Sequence, residues 1–155
     1  LVRSRAIQNK TGDLRVTLNG AENQNTLAGR FISQTFGAAV QHIAFRSHDI
    51  FASAEALVAR GFTPLDISAN YYDDLGARFG LAPDMLERLA TYNIMYDEDA
   101  EGRFFQMYGQ QTAGEIFFEI VQRDGGYDGY GAANAPFRIT AQKRVTPTRR
   151  RPAAS

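Results

Sequence analysis

The segment Ile116-Phe117-Phe118-Glu119-Ile120-Val121-Gln122 constrains this chain more than any other. Its aromatic and β-branched residues read as a strand. Alternation puts Phe117, Glu119 and Val121 on one face, and Ile116, Phe118, Ile120 and Gln122 on the other. Both faces are apolar, so the strand needs cover on both sides. Glu119 is thereby carried into an interior. A buried carboxylate left charged and unpartnered costs several kcal/mol, so a cation is expected opposite it. That cation is a metal ion or an arginine or lysine, unless the residue stands at a cavity mouth.

A second strand, Val40-Gln41-His42-Ile43-Ala44-Phe45, carries His42 on one face with Val40 and Ala44. Such a histidine is either a hydrogen-bonded core residue or a ligand. The other histidine, in Ser47-His48-Asp49, sits at a helix start and reads as an exposed cap neighbour without a metal role. His42 and Glu119 are 77 residues apart. They meet only if their strands lie side by side with both side chains turned into one cup. Two histidines and one carboxylate with open positions suit non-haem Fe(II); here one histidine and one glutamate stand in suitable contexts.

Around these strands the pattern predicts an α+β chain. Leu1 to Gln8 and Leu14 to Leu18 form a hairpin about a turn at residues 9–13. A lone hairpin is marginal in water and needs something to pack on. Asn19 to Asn25 is a loop, and Thr26 caps a short helix through Gln34. Ser47 or Asp49 caps a helix from Ile50 to Arg60, ended by Gly61, and Phe62 to Ile67 reads as a further strand. Two short helices span Asn70 to Tyr92, divided at Gly80, with Pro83 in a first turn. Ile94 to Tyr96 and Phe104 to Tyr108 flank an acidic hairpin turn, and Asp124 to Ala135 is a Gly-rich loop.

Composition removes several classes. Basic and acidic residues balance at 17 each, so no nucleic-acid partner is expected. There is no cysteine, which excludes disulfides and thiolate metal sites and fits a cytoplasmic setting. No apolar run approaches the ~20 residues of a membrane span, so no membrane partner is expected. Leu1-Val2-Arg3-Ser4-Arg5 lacks an initiator Met and reads as mid-strand, so a fragment or trimmed chain is expected.

Three separated motifs carry a resemblance. Residues Gly37 to Phe45, Phe117 to Arg123 and Gly129-Tyr130-Gly131-Ala132-Ala133-Asn134 resemble, in order, a metal-ligand strand, the carboxylate strand and the Gly-rich segment of the 4-hydroxyphenylpyruvate dioxygenase family. That family belongs to the vicinal oxygen chelate superfamily, built of βαβββ modules with a strongly curved mixed sheet. Asn70-Tyr71-Tyr72-Asp73-Asp74-Leu75 and Gly125 to Pro136 are more closely similar to the C-terminal domain of bacterial fusion proteins whose barrel acts as 3-dehydroshikimate dehydratase. The resemblance implies a closing hairpin and linker of a truncated first module at 1–36. A second module would follow at 37–136, with a helical insertion at 70–92, and then a partly disordered tail at 137–155.

By the same resemblance, His42 and Glu119 are two of three metal ligands, the third lying before Leu1, with no catalytic residue beyond them. The metal implied is Fe(II), with Mn, Co or Mg able to use such ligands. Ser4, Asn19, Gln41, Gln106, Tyr108, Tyr130 and Asn134 match residues facing a bound small-molecule oxo acid. Departures fall at Ala135, where the family has Phe, and at Leu27, where it has a pocket glutamine. Phe137 to Arg144 reads as too short and polar to replace the family's capping helix. Two functions follow. One is an accessory metal-binding domain of the dehydratase fusion, homo-oligomeric in the full-length protein, with the dehydratase chemistry in the barrel. The other is an active Fe(II)-dependent dioxygenase acting on an aryl-pyruvate.

Overall fold

Two short amphipathic strands open the chain and pair with each other. The computed structural model describes residues 2–21, 26–111 and 116–145, and contacts divide the chain into two units, Leu1–Gln41 and His42–Ser155. In the first unit β1 (Val2–Gln8) runs antiparallel to β2 (Arg15–Ala21), with Ile7 opposite Val16 and Arg5 opposite Leu18. Asn9 closes the turn, its side-chain oxygen accepting from the Leu14 amide at 3.1 Å. Helix α1 (Leu27–Gln34) begins where Thr26 accepts from the Gly29 amide at 3.0 Å, the cap expected of a threonine there.

The second unit is a βαβββ module. Strand β3 (His42–Arg46) is followed by α2 (Ile50–Val58), then β4 (Ile94–Glu98), β5 (Gly102–Tyr108) and β6 (Phe117–Gly125). Helices α3 (Ala69–Phe79) and α4 (Pro83–Thr91) are inserted between α2 and β4, and α5 (Ala135–Val145) closes the described chain. Sheet order is β3-β6-β5-β4, with β3 parallel to β6 and the other pairs antiparallel. The mixed sheet places β6, the doubly apolar strand, between β3 and β5.

One face of the sheet is sealed by helices. Ile50 and Ala54 of α2, Leu75 of α3 and Leu89 of α4 join Phe105, Met107 and Ile120 of the sheet in one buried cluster. Each fully buried side chain contributes about 1.5–3 kcal/mol. The start of α2 is tied to β6. Asp49 caps it by accepting from Ala52 at 3.0 Å, and Gln122 accepts from the Ile50 amide at 2.7 Å. Gly80 ends α3 in the left-handed region, at φ 61°.

Two expectations are corrected. Phe62 to Ile67 is not a strand, although Leu65 and Ile67 are buried. Pro64 brings no N–H to a ladder, and the segment makes one isolated bridge, Pro64 to Gly109. The chain from 137 is not a tail at its outset, because Ala135–Val145 is helical with Ala141 and Gln142 buried. The remaining tail, 146–155, lies outside the described residues. Among the described residues no helix is long and apolar enough to cross a membrane.

Candidate functional site

In the parallel β3–β6 pair His42 stands opposite Phe117, and Ala44 opposite Glu119. Alternation sends His42, Phe117 and Glu119 out of the same face. The imidazole and carboxylate converge there, His42 Nε2 lying 2.8 Å from Glu119 Oε2. Glu119 is 4% exposed, whereas the His42 side chain, on the sheet's edge, is 37% exposed. The ring of Phe117 stacks on the imidazole, with centroids 4.7 Å apart and planes at 16°, and fixes its tilt. Among the described residues the ion-pair partner of Glu119 is His42, not a lysine or arginine.

The other carboxylate oxygen is held from β5, where Tyr108 faces Glu119 and Gln106 faces Val121. The Gln106 amide nitrogen donates to Glu119 Oε1 and to the Tyr108 hydroxyl, both at 2.8 Å. Gln106 Oε1 accepts from the Asn134 side-chain amide at 2.8 Å, and Asn134 Oδ1 accepts from the Tyr71 hydroxyl at 2.9 Å. The Tyr71 oxygen in turn accepts from the Tyr96 amide at 2.7 Å. A buried polar chain thus runs from the imidazole on β3 across the sheet to α3. Burial pushes the Tyr108 and Tyr71 hydroxyls up, and the Glu119 charge adds to the rise at Tyr108.

Gly131 lies directly on this chain. Its φ is 60°, and a Cβ there would stand 2.8 Å from the amide carbon of Gln106. Close approach of backbone to the Gln106 amide therefore requires glycine. Tyr127 pins the same Gly-rich segment. Its ring stacks on Phe104 at 5.0 Å, and its hydroxyl donates to Asp97 Oδ2 at 2.8 Å and accepts from the Gly131 amide at 3.1 Å. Burial, and then the hydrogen bond to Asp97, push Tyr127 from 10 up to about 12. A phenol held neutral by the fold contributes stability that is complete below pH ~10 and lost as pH rises towards ~12. The chain should therefore unfold in that window, with tyrosinate absorbance at 295 nm rising together with loss of ellipticity. Tyrosine ionisation that is complete before any unfolding would contradict this.

Of the residues singled out in the sequence, the structure brings together His42, Glu119, Gln106, Tyr108 and Asn134. Tyr130 is 53% exposed on the Gly-rich segment. Ser4 and Asn19 face each other in the first unit, the Ser4 hydroxyl donating to Asn19 Oδ1 at 2.6 Å, and Gln41 is that unit's last residue. His48 is exposed. Sequence reasoning missed Tyr71, Phe117, Gly131 and Arg138 as contributors. The signal for Tyr71 was a tyrosine on the apolar face of a helix, whose hydroxyl must find a partner when buried. The two atoms suited to a metal are His42 Nε2 and Glu119 Oε2. Among the described residues no group of three or more His, Asp or Glu forms around them.

No family model matches the chain. It is 44% identical over 146 residues to a 3-dehydroshikimate dehydratase of Pseudomonas putida, covering 94% of this chain and 23% of that protein. It is 29% identical over 134 residues to a 4-hydroxyphenylpyruvate dioxygenase of Legionella pneumophila, covering 84% of this chain and 38% of the relative. The chain thus spans about a quarter of the dehydratase's length. Among solved structures it is similar to a xylose isomerase-like TIM barrel/4-hydroxyphenylpyruvate dioxygenase fusion protein, with TM-score 0.78, 44% identity and coverage of 91% and 23%. It is also similar to a mutant 4-hydroxymandelate synthase from Streptomyces coelicolor, with TM-score 0.80, 28% identity and coverage of 92% and 41%. The chain belongs to the 4-hydroxyphenylpyruvate dioxygenase-like family of the vicinal oxygen chelate fold, and matches the dioxygenase-like part of the barrel fusion proteins.

Proposed function

We propose that this domain holds a divalent ion, Fe(II), between His42 and Glu119, and binds a small oxo acid beside it. The parent would be a bacterial fusion protein whose barrel carries out the dehydration of 3-dehydroshikimate. The observation that carries the reading is the approach of His42 Nε2 to Glu119 Oε2 at 2.8 Å, with the carboxylate buried. Two neighbouring ligands of one ion, each bound at about 2.0–2.2 Å, lie at a similar separation. The donors fit the group chemically, an imidazole nitrogen and a carboxylate oxygen being suited to Fe(II) and, less selectively, to Mn, Co or Mg.

Bound there, the ion would supply Lewis acidity and, as Fe(II), reactivity towards O₂. The chain's own residues do the positioning. Gln106 holds Glu119 Oε1, which leaves Oε2 turned to the imidazole. Phe117 sets the ring plane of His42. Tyr108 and Phe117 offer an apolar wall, with Tyr108 kept as a neutral phenol. Further ligand positions are left to water, to the oxo acid or to groups outside the described residues. A cytoplasmic setting and a homo-oligomeric parent belong to the same reading, and the absence of cysteine suits the first.

Metal content decides it. Glu119→Ala in the full-length protein should weaken binding of Fe(II) or Co(II) by more than the ~10–100-fold lost when an outer partner of a ligand is removed. Elemental analysis showing unchanged stoichiometry would overturn the assignment. Oxygen uptake by the Fe(II)-loaded protein with an aryl-pyruvate would mark an active dioxygenase instead of an accessory domain.

A further inference from the structure

A cation stands beside this site without a carboxylate of its own. Arg138 of α5, partly buried, holds its guanidinium 5.4 Å from the Tyr108 ring centroid and 5.8 Å from that of Phe117. These rings, 6.2 Å apart, are the ones that flank His42, whose imidazole lies 4.7 Å from Phe117 and 6.0 Å from Tyr108. Tyr108 pairs with Glu119 across the ladder, and the Gln106 amide bonds both its hydroxyl and the Glu119 carboxylate. One phenol ring therefore separates the guanidinium from the candidate metal ligand. Arg138 donates from Nη1 to Gln142 Oε1 at 2.8 Å, one turn along the helix, which orients the head group and uses one of its five donors. Among the described residues no carboxylate forms an ion pair with it.

Contact with two rings accounts for the position of Arg138, but among the described residues the Gln142 oxygen alone accepts a hydrogen bond from its five donors. A planar fork of donors matches a carboxylate in two parallel hydrogen bonds. We infer that Arg138 is a specificity-determining residue of the site, and that the oxo acid it selects is dicarboxylic. One end would face the His42–Glu119 pair, and the second carboxylate would dock on the Arg138 guanidinium. The first half of this pose rests on the function proposed above. The second half rests on Arg138 alone.

The test uses the full-length protein, metal-free and then loaded with Co(II), and two probes that differ in one group, 2-oxoglutarate and 2-oxobutyrate. Titration calorimetry should show 2-oxoglutarate binding at a concentration roughly tenfold or more below that needed with 2-oxobutyrate, and the Arg138 Nε–Hε resonance, identified by its loss in R138K or R138Q, should shift over the same range in the unaltered protein. In R138Q the two acids should bind alike, and R138K, which keeps the charge without the fork, should retain part of the preference. Equal responses in the unaltered protein, or a preference that survives R138Q, overturns the inference. If R138Q fails to fold, as read by circular dichroism, the comparison of the two acids in the unaltered protein still decides. Absence of Co(II) binding with the Arg138 preference intact overturns the proposed metal site and leaves this inference standing. Co(II) binding without any preference overturns this inference alone.

Discussion

Gln106→Leu is expected to destabilise the second unit by about 3–5 kcal/mol, the range seen when a buried charged network loses one partner. Leucine fills much of the same volume, so the loss comes from hydrogen bonding and not from a cavity. Three buried groups would be left short: Glu119 Oε1 and the Tyr108 hydroxyl lose a donor, and the Asn134 amide loses its acceptor. At ~2–4 °C per kcal/mol for a chain of this size, the midpoint of thermal unfolding should fall by roughly 6–20 °C. A double-mutant cycle with Asn134→Leu sharpens the test. Because the two side chains bond each other, the double variant should lose clearly less than the sum of the single losses. Additive losses, or a single loss under ~1 kcal/mol, would show that the chain of contacts carries little energy.

Gly131→Ala should cost nearly as much, for two separable reasons. A left-handed φ of 60° costs an L-residue about 1–2 kcal/mol. The added Cβ would also press on the Gln106 amide, which cannot yield cheaply because it is held at three points and is 2% exposed. A total of about 2–4 kcal/mol is expected from strain plus overpacking. At the proposed metal site, affinity for Co(II) should fall by ~10–100-fold through displacement of the group that orients Glu119. Gly12→Ala is the control. Gly12 has φ 75° and open space around its would-be Cβ, so it should show the backbone cost alone and no change in metal binding. Equal losses from the two variants in thermal unfolding would remove the argument that Gly131 is needed for close approach to Gln106.

The meeting of His42 and Glu119 was legible because it needs only alternation and the pairing of two strands. Strand-forming residues fixed which face each side chain takes, and the parallel β3–β6 pair completed the geometry. Behind the carboxylate, Gln106, Tyr108 and Asn134 were legible only through the resemblance, as residues facing an oxo acid, and their bonding to one another and to Tyr71 was not legible. Glu119, Gln106, Asn134 and Tyr71 are 13, 28 and 63 residues apart across their successive bonds, and only the three-dimensional register brings them together. The Phe62–Ile67 segment was misread because a buried extended segment and a strand share one apolar pattern, and Pro64 was given too little weight. Helix α5 is hard to read from sequence because its polar residues obscure the buried stripe. Arg138 donates to the Gln142 side-chain oxygen across one turn, and Gln142 lies inside beside Ala141.

The two halves of the His42–Glu119 pair are anchored very differently. Glu119 belongs to a strand flanked on both sides and is gripped from β5, whereas His42 opens a strand that, among the described residues, has β6 as its one neighbour. Such a rim can peel back by a local opening that leaves the rest of the sheet intact, at a fraction of the free energy of global unfolding. Exchange of the proposed ion at this pair would then be governed by fraying at β3, with a rate that surface substitutions along that rim would tune without touching the buried acid.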